Sequence, residues 1–579
     1  MPEFAVWAPS AARLRVNVDG SIYEMQGPDE RGWWKVQVAA GAPGSAYGFL
    51  VGEDSKLYPD PRSAWQPEGP HAASRVYDHN AFRWTDTSWQ AQSLGSAILY
   101  ELHVGTFTPE GTFNAAIAHL SYLRELGITH IELMPLAEFP GRFGWGYDGA
   151  SLFAVREAYG GPDGLKRLVD AAHAQGIGVL IDVVYNHFGP VGNYTGIFGP
   201  YLTSQHRTPW GDAVNFDDSG SAEVRRFFCD NALMWMREFH VDGLRLDAVH
   251  EFVDQSDLHF MEQLAIEVEA LSKLQGRPIV LIAESDLNDS NVVAARAVNG
   301  YGIDAQWSDD FHHSLFAVLH AKERTGYYGD FGAMGDLAKS LKEAFVYQGQ
   351  FSKYRQRLHG RPMDRVGAHS FVGYIQNHDQ VGNRALGDRL EQTVGFARAK
   401  VAAGILLTAP FIPMLFQGEE FAASTPFQYF ADYDDADMSR SVSEGRRREF
   451  AAFGWDPAMI PDPEEVATFE RSKLQWQEQR DGHHAEMLTW YRELIAFRKH
   501  TPSLNVGDLS MLTVAFNEEK LWLKMQRGNV VIAFNLGIEA HEVTVPADAK
   551  LALASGADVT VVDSLLTVPP ERIAILQLA

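Results

Sequence analysis

Four short runs place ionisable side chains directly after apolar, strand-like residues. IGVLIDVVYNH supplies Asp182, Asn186 and His187; VDGLRLDAVH supplies Arg245, Asp247 and His250; RPIVLIAESD supplies Glu284; and FVGYIQNHDQ supplies Asn377, His378 and Asp379. Within VDGLRLDAVH a period of two sets Leu244 and Leu246 on one face and Arg245 and Asp247 on the other. Three carboxylates arriving from separate strands suit a reaction that needs both an acid and a base or nucleophile. Retaining glycoside hydrolysis uses such a pair about 5–5.5 Å apart, one as nucleophile and one as acid and then base. A third carboxylate would stabilise an oxocarbenium-like transition state. Arg245, two residues from Asp247 on the same face, is expected to keep that carboxylate ionised and ready to attack. Glu284 follows the apolar Ile282 and lies among other carboxylates, so it is the candidate for a raised pKa and the general-acid role.

Clusters of Asp, Glu and His also ligate metals. The chain has no HExxH, no cysteine cluster and no acidic calcium loop. An arginine beside the central carboxylate disfavours a bound cation, so no catalytic metal and no cofactor are expected; a structural calcium ion is left open.

The elements that must position these groups can be counted. Residues 1–90 are rich in Gly and Pro with short alternating runs such as LRVNVDG and WWKVQVAA, which reads as a small β-sandwich, with the proline-rich LYPDPRSAWQPEGP as its exit. Over residues 91–504 eight apolar runs alternate with amphipathic stretches: SAILYELHVGTF, HIELMPL, IGVLIDVVYNH, GLRLDAVH, RPIVLIAESD, IDAQWSDD, FVGYIQNHD and IPMLFQGEE. Helices are expected at NAAIAHLSYLRELG, LKRLVDAAHAQG and ARAKVAAGILLTA, and EMLTWYRELIAFRKHTPSL is read as the last of them. Eight βα units predict a (β/α)₈ TIM barrel, whose active site lies where the strands end. Residues 505–579 return to alternation and turn residues, predicting a C-terminal β-sandwich. The fold class is therefore α/β, a central barrel flanked by two β-sandwich domains.

Composition narrows the ligand. At 579 residues, 46% hydrophobic and 21% charged, the chain is that of a folded protein of two to four domains. The 75 Asp and Glu against 49 Lys and Arg give a formal charge of -26, which repels phosphate backbones and anionic membrane surfaces. Nucleic acid and membrane are thus disfavoured as partners, and a neutral ligand such as a sugar is compatible. A single cysteine, Cys229, in the apolar helical run VRRFFCDNALMWM, permits no intrachain disulfide and reads as an inert buried thiol. The N-terminal residues lack a basic start followed by an apolar run, so a cytoplasmic location is the expectation.

Taken together, DVVYNH, GLRLDAVH, IAESD and FVGYIQNHDQ resemble the four sequence regions of the α-amylase superfamily of glycoside hydrolases, in order and each at the expected strand. That resemblance implies Asp247 as nucleophile, Glu284 as acid/base and Asp379 as transition-state stabiliser. It also places His187, Arg245, His378 and Tyr147, in GRFGWGYDG, around the reacting sugar. The flanking runs HVGTFTPEGTF, TPWGDAVNFD, QWSDDFHH, NHDQVGNRALGDRL and QGEEFAASTPFQYFADY resemble the maltooligosyltrehalose trehalohydrolase family within it. The implied activity is cleavage of the α-1,4 bond next to the terminal trehalose of maltooligosyltrehalose, and the implied ligands are that substrate and related α-glucans.

Other readings stand beside these. Asp182 is expected to serve buried hydrogen bonding more than chemistry. His250 and Asp310 match substrate-lining segments of the family but are equally able to pair with a neighbouring loop, and the same balance holds for Gln376 and Gln380, which flank Asn377–Asp379. Trp145, Trp210 and Trp307 could stack on pyranose faces, but with 14 tryptophans in the chain only one or two of these three are expected to. A glucan branching enzyme shares the first half-reaction, an isoamylase-like debranching enzyme shares the scaffold, and a non-catalytic glycan-binding barrel would be expected to have lost a carboxylate.

Overall fold

The structure, a computed structural model, describes residues 2–320, 326–452 and 455–578. Eight parallel strands close into a barrel in chain order: β1 (Leu99–Leu102), β2 (His130–Leu133), β3 (Gly178–Val183), β4 (Gly243–Leu246), β5 (Val280–Ala283), β6 (Ala305–Trp307), β7 (Phe371–Tyr374) and β8 (Ile412–Phe416). Each falls within one of the eight apolar runs, and the (β/α)₈ barrel is confirmed. The runs are nearly continuous in apolar residues because both strand faces are covered. Inward-facing Leu99, Leu180, Ile282, Ala305, Val372 and Met414 pack with one another inside the barrel, while outward-facing side chains such as Ile131, Val179 and Leu244 join the core shared with the surrounding helices.

The helices that matter below are α1 (Gly161–Ala174), α2 (Ser221–Glu238), α3 (His378–Gly382), α4 (Phe396–Thr408), α5 (Ala436–Ala452) and α6 (Gly482–His500). Cys229 is buried in α2, and burial pushes its thiol up from the ordinary value, which disfavours the nucleophilic thiolate. No helix among the described residues is long and apolar enough to cross a membrane.

Sheets flank the barrel on both sides in sequence. Before it lie an antiparallel pair, Glu3–Trp7 with Trp33–Gln37, and a four-stranded sheet of Ser21–Glu24, Leu14–Val18, Ala46–Val51 and Ser74–Arg75. After it come a five-stranded and a three-stranded sheet enclosing Val531, Ala533, Val543, Leu566 and Ala574. Two local expectations are corrected. The proline-rich segment is not an exit, because the chain returns after it to pair Ser74–Arg75 with Ala46–Tyr47, and within it Tyr58 bridges Phe49. NAAIAHLSYLRELG is two helices, Phe113–Ile117 and Leu120–Leu126, with a break at Ala118 and His119; the periodicity is helical throughout and does not show where the axis turns.

Strand β4 is anchored from below by the aspartate that precedes it. Asp242, 1% exposed, immediately precedes β4 at the N-terminal end of the barrel. Its Oδ1 accepts from Trp89 Nε1 and Arg277 Nη1, both at 2.8 Å, and its Oδ2 accepts from the Val179 amide at 2.8 Å and meets His173 Nε2 of α1 at 3.0 Å. Burial works against the charge, yet His173 and Arg277 hold this carboxyl below its usual range. Removing one member of such a buried set strands the others: Asp242→Ala is expected to cost about 3–5 kcal/mol and to lower the thermal-unfolding midpoint by several degrees. A midpoint within a degree of wild type in differential scanning calorimetry would show that the network does not hold the barrel base.

Candidate active site

At the other end of β4, Arg245 is fully buried, and its Nη1 donates to Asp247 Oδ1 at 2.7 Å and to Asp182 Oδ2 at 2.9 Å. Its Nη2 lies 3.1 Å from Glu284 Oε2. One guanidinium thus contacts carboxylates from β3, from the end of β4 and from the end of β5. Cross-strand register puts Asp182 beside Arg245, so the contact follows from the barrel's strand order. The face of the guanidinium is covered by the Trp307 ring, whose centroid is 4.2 Å from Cζ.

The two outer carboxylates are held differently. Asp247 Oδ2 accepts from Asn186 Nδ2 at 2.7 Å. Burial opposes its charge, but Arg245 and the Asn186 hydrogen bond keep its carboxyl below the usual range. Glu284 Oε2 accepts from the Ala248 amide at 2.8 Å. Burial drives its carboxyl up to about 8 against the opposing charge of Arg245, and the charges of Asp247 and Asp379 add to the rise. Ala248 itself adopts a left-handed conformation, φ 40°, which a residue with a Cβ seldom takes; the strain sits directly after Asp247 and aims the Ala248 N–H at Glu284.

A second cation stands opposite. His378, at the start of α3, bonds through Nδ1 to Glu101 Oε1, while its amide donates to Glu101 Oε2 at 3.0 Å. Its Nε2 lies 2.8 Å from the Tyr147 hydroxyl and 3.5 Å from Asp379 Oδ2. Burial opposes charge on this ring, yet Asp379 and Glu101 raise the imidazole to about 9. Tyr147 also donates to Asp182 Oδ2 at 2.6 Å, linking the two clusters. The loop that delivers Tyr147 requires glycine at position 146: φ is +103°, and a Cβ there would lie 2.4 Å from the Pro135 carbonyl oxygen.

These groups sit at the junction of two lobes of one cleft. A lobe of about 560 Å³ is lined by Asp247, Tyr147, His187, Trp210, His378 and Arg446. One of about 430 Å³ is lined by Asp286, Asp309, Tyr327, Tyr354, Arg355 and Gln380. Glu284, Asp379 and His250 line both, whereas Asp247 lines only the first.

The structure brings Asp247, Glu284, Asp379, Tyr147, His187, Arg245 and His378 together. His187 Nε2 faces the Tyr147 carbonyl at 3.1 Å, and its ring stacks on Trp210, centroids 4.5 Å apart. Trp210 is 51% exposed, whereas Trp145 and Trp307 are buried. Asp310 lines the smaller lobe, but its Oδ2 accepts from Asn288 and from the amides of Val346 and Tyr347, holding a loop. Gln376 points elsewhere, accepting from the Leu390 amide at 2.8 Å, and Gln380 accepts from the Tyr328 hydroxyl at 2.9 Å. Among the described residues, no group of three or more His, Cys, Asp or Glu has the geometry to hold a metal ion. Glu101 and Asp309 escaped sequence reasoning. Glu101 carried the same signal as Arg245, a charge inside an apolar strand run; Asp309 differs from Asp310 only in orientation.

A closed parallel barrel with an arginine-linked set of carboxylates at its C-terminal mouth defines an α-amylase-type glycoside hydrolase. The family model described as alpha-amylase, catalytic domain, matches residues 75–196. The malto-oligosyltrehalose trehalohydrolase of Rhizobium sp. (strain M-11) is 46% identical over 99% of this chain and 97% of its own, and that of Mycobacterium tuberculosis 47% identical over 96% and 95%. The crystal structure described as a putative alpha amylase from Salmonella typhimurium superposes with a TM-score of 0.91 at 36% identity, covering 99% of this chain and 97% of that one. A branching enzyme of Geobacillus stearothermophilus is more distant, 28% identical over 76% of this chain and 71% of its own. The chain belongs to the malto-oligosyltrehalose trehalohydrolase family.

The Glu101 contact generates a direct test. Glu101→Gln removes an anion from His378 while keeping an acceptor, so the His378 titration, followed by NMR of histidine-labelled protein, is expected to fall from about 9 toward the ordinary value. An unchanged midpoint would assign the imidazolium to Asp379 alone.

Proposed function

We propose that this chain is a retaining α-glycoside hydrolase that cleaves the α-1,4 bond next to the terminal trehalose of maltooligosyltrehalose, releasing trehalose and a shortened maltooligosaccharide. The observation that carries the reaction class is the Arg245 guanidinium between Asp247 at 2.7 Å and Glu284 at 3.1 Å, with one carboxyl depressed and the other raised. The substrate follows from the family. Near-complete coverage of the named trehalohydrolases favours it over the branching enzyme.

In the first step Glu284 gives its proton to the glycosidic oxygen while an Asp247 oxygen attacks the anomeric carbon. The C–O bond to the leaving sugar breaks, and a β-linked glycosyl ester forms on Asp247. In the second, water attacks the same carbon, Glu284 takes its proton and the Asp247 carboxylate departs, so the α-configuration is retained. Asp379, on the opposite side of His378 from Glu101, stabilises the developing positive charge on the sugar. The lobe lined by Asp247 takes the sugar under attack, and the lobe beyond Glu284 takes the leaving trehalose, because the acid must lie between the two. Tyr147, His187 and His378 line the lobe of the reacting sugar, and His250 lies at the junction. Arg245, expected from sequence to face the sugar as well, has no exposed surface and stands behind Asp247 and Glu284.

Incubation with maltotriosyltrehalose, beside maltopentaose as an equal-length control, is expected to yield trehalose and maltotriose, with the control cleaved much more slowly. Equal cleavage of both would make the chain a general α-glucan hydrolase, and longer or branched products would make it a transferase. Asp247→Asn is expected to lose the covalent intermediate, and near-wild-type turnover would refute its role as nucleophile. Because Asp247 must be ionised, the acid limb of kcat/KM is expected below about 4, the ordinary aspartate value. Because Glu284 must be protonated, the basic limb is expected well above about 4.3, the ordinary glutamate value, and to vanish in Glu284→Gln.

A further inference from the structure

Of the three carboxylates at the cleft junction, Asp379 is the least enclosed. Its side chain is 37% exposed, against 11% for Asp247 and 20% for Glu284. Among the described residues it makes no contact with Arg245 comparable to theirs, and the cation paired with it, His378 Nε2, is 3.5 Å away. A carboxylate with so much freedom needs another restraint if it is to hold a productive geometry. The hydrogen bond its Oδ1 accepts comes from Asn383 Nδ2 at 3.0 Å, one turn further along the chain.

An asparagine amide has two nearly isosteric ends, and which one faces a neighbour is decided by the rest of its hydrogen bonding. Here that decision is made by Arg446 on α5. Arg446 Nη1 donates to Asn383 Oδ1 at 3.2 Å, and Nη2 donates to the Gly382 carbonyl at the end of α3. A guanidinium only donates and a carboxylate only accepts, so an amide between them has one orientation, oxygen to arginine and N–H₂ to aspartate. Arg446 is itself held: its side chain is 11% exposed, Glu449 Oε2 lies 3.2 Å from it, and its Cζ stands 4.6 Å from the Phe450 ring centroid and 5.3 Å from that of Tyr429. Arg446, Asn383 and Asp379 all line the larger lobe, together with Val442, Gly445 and Glu449 of α5.

We propose that Arg446 is a positioning residue for the reaction: through Asn383 it fixes the orientation of Asp379, so that docking of α5 against α3 sets the transition-state-stabilising carboxylate. The inference rests on the reading of Asp379 as that stabiliser. It gives α5, which carries no strand-end carboxylate, a part in turnover beyond forming a wall.

The test is steady-state kinetics on maltotriosyltrehalose for Arg446→Met, Arg446→Lys, Asn383→Ala and the Arg446→Met/Asn383→Ala pair. A small misplacement of a reacting group costs up to about 100-fold in rate. Arg446→Met and Asn383→Ala are each expected to lower kcat by about 10- to 100-fold with KM changed by less than about threefold, and the pair to be no slower than the slower single. Arg446→Lys, still a donor-only cation, is expected to recover part of the loss. Arg447→Met is the control for damage to the helix. Its side chain pairs with Asp462 at 2.7 Å, away from the cleft, so its kcat is expected to be unchanged. An Arg446→Met kcat within twofold of wild type, multiplicative losses in the pair, or an equal loss in Arg447→Met would each overturn the proposal. If Arg446→Met fails to fold, Asn383→Ala decides alone, since a kcat within twofold of wild type there removes the link to Asp379. A wild-type chain that cleaves only another α-glucan would refute the substrate reading and leave the positioning proposal to be judged by the same ratios on that glucan.

Discussion

The structure turns on one buried cation. The Arg245 guanidinium is wholly removed from solvent, and a charge in that position is tolerated only when paired and hydrogen-bonded. Asp182, Asp247 and Glu284 supply the pairing from three successive strands, and Trp307 covers the remaining face. What satisfies the arginine also builds the site. Burial raises both carboxyls and the same positive charge lowers both, yet they move in opposite directions: burial prevails at Glu284, whereas charge and hydrogen bonding prevail at Asp247. Asp247 gains a hydrogen bond from Asn186, whereas Glu284 faces the negative charges of Asp247 and Asp379. An acid and a nucleophile are thereby separated within the reach of one side chain.

Stability and chemistry occupy opposite ends of β4. Asp242, at the N-terminal end, is saturated by Trp89, His173, Val179 and Arg277 and is buried away from any ligand. Asp247, five residues on, keeps an opening to the cleft. This division is general to the barrel, whose lower face is closed by side-chain packing and whose upper face is built from loops. Ala248 shows the cost at the upper end: the chain accepts a left-handed residue there in return for an amide aimed at Glu284. Gly146 meets a similar demand without a Cβ, bringing Tyr147 close to Asp182 and His378.

The four strand-end motifs define glycosyl transfer to an acceptor and leave open whether that acceptor is water or a sugar. The distinction lies in the lobes on either side of Glu284, whose walls come from loops and from α5. The hairpin of Gln350–Ser352 and Arg357–His359, and the Trp210 that stacks on His187, belong to these walls. Near-full-length identity to trehalohydrolases covers such segments as well as the barrel, and for that reason carries the substrate where the catalytic motifs cannot.

Much of this was legible in the amino-acid order, because a strand has a period of two and a barrel strand is apolar on both faces. Arg245 and Asp247 stood out as charges on an apolar strand, and their two-residue spacing required a shared face. Eight such runs separated by amphipathic segments required the barrel. Glu101 and Glu132 carried the same signal in YELHV and HIEL, and both prove to be buried at the barrel interior. Other features were decided only by tertiary structure. Gln376 and Gln380 flank the same motif, yet one binds the Leu390 amide and the other faces the smaller lobe, since successive residues at the end of a strand diverge as the chain enters α3. Asp309 and Asp310 are neighbours in one helix turn, and packing alone sends one toward Tyr374 and the other to the Val346 loop. Arg446 lies in a polar helical stretch, SEGRRREF, with no feature to separate it from Arg447 and Arg448. Sequence sets which residues share an element and a face; contacts between elements hundreds of residues apart depend on how the closed barrel brings loop ends together, which no local period records.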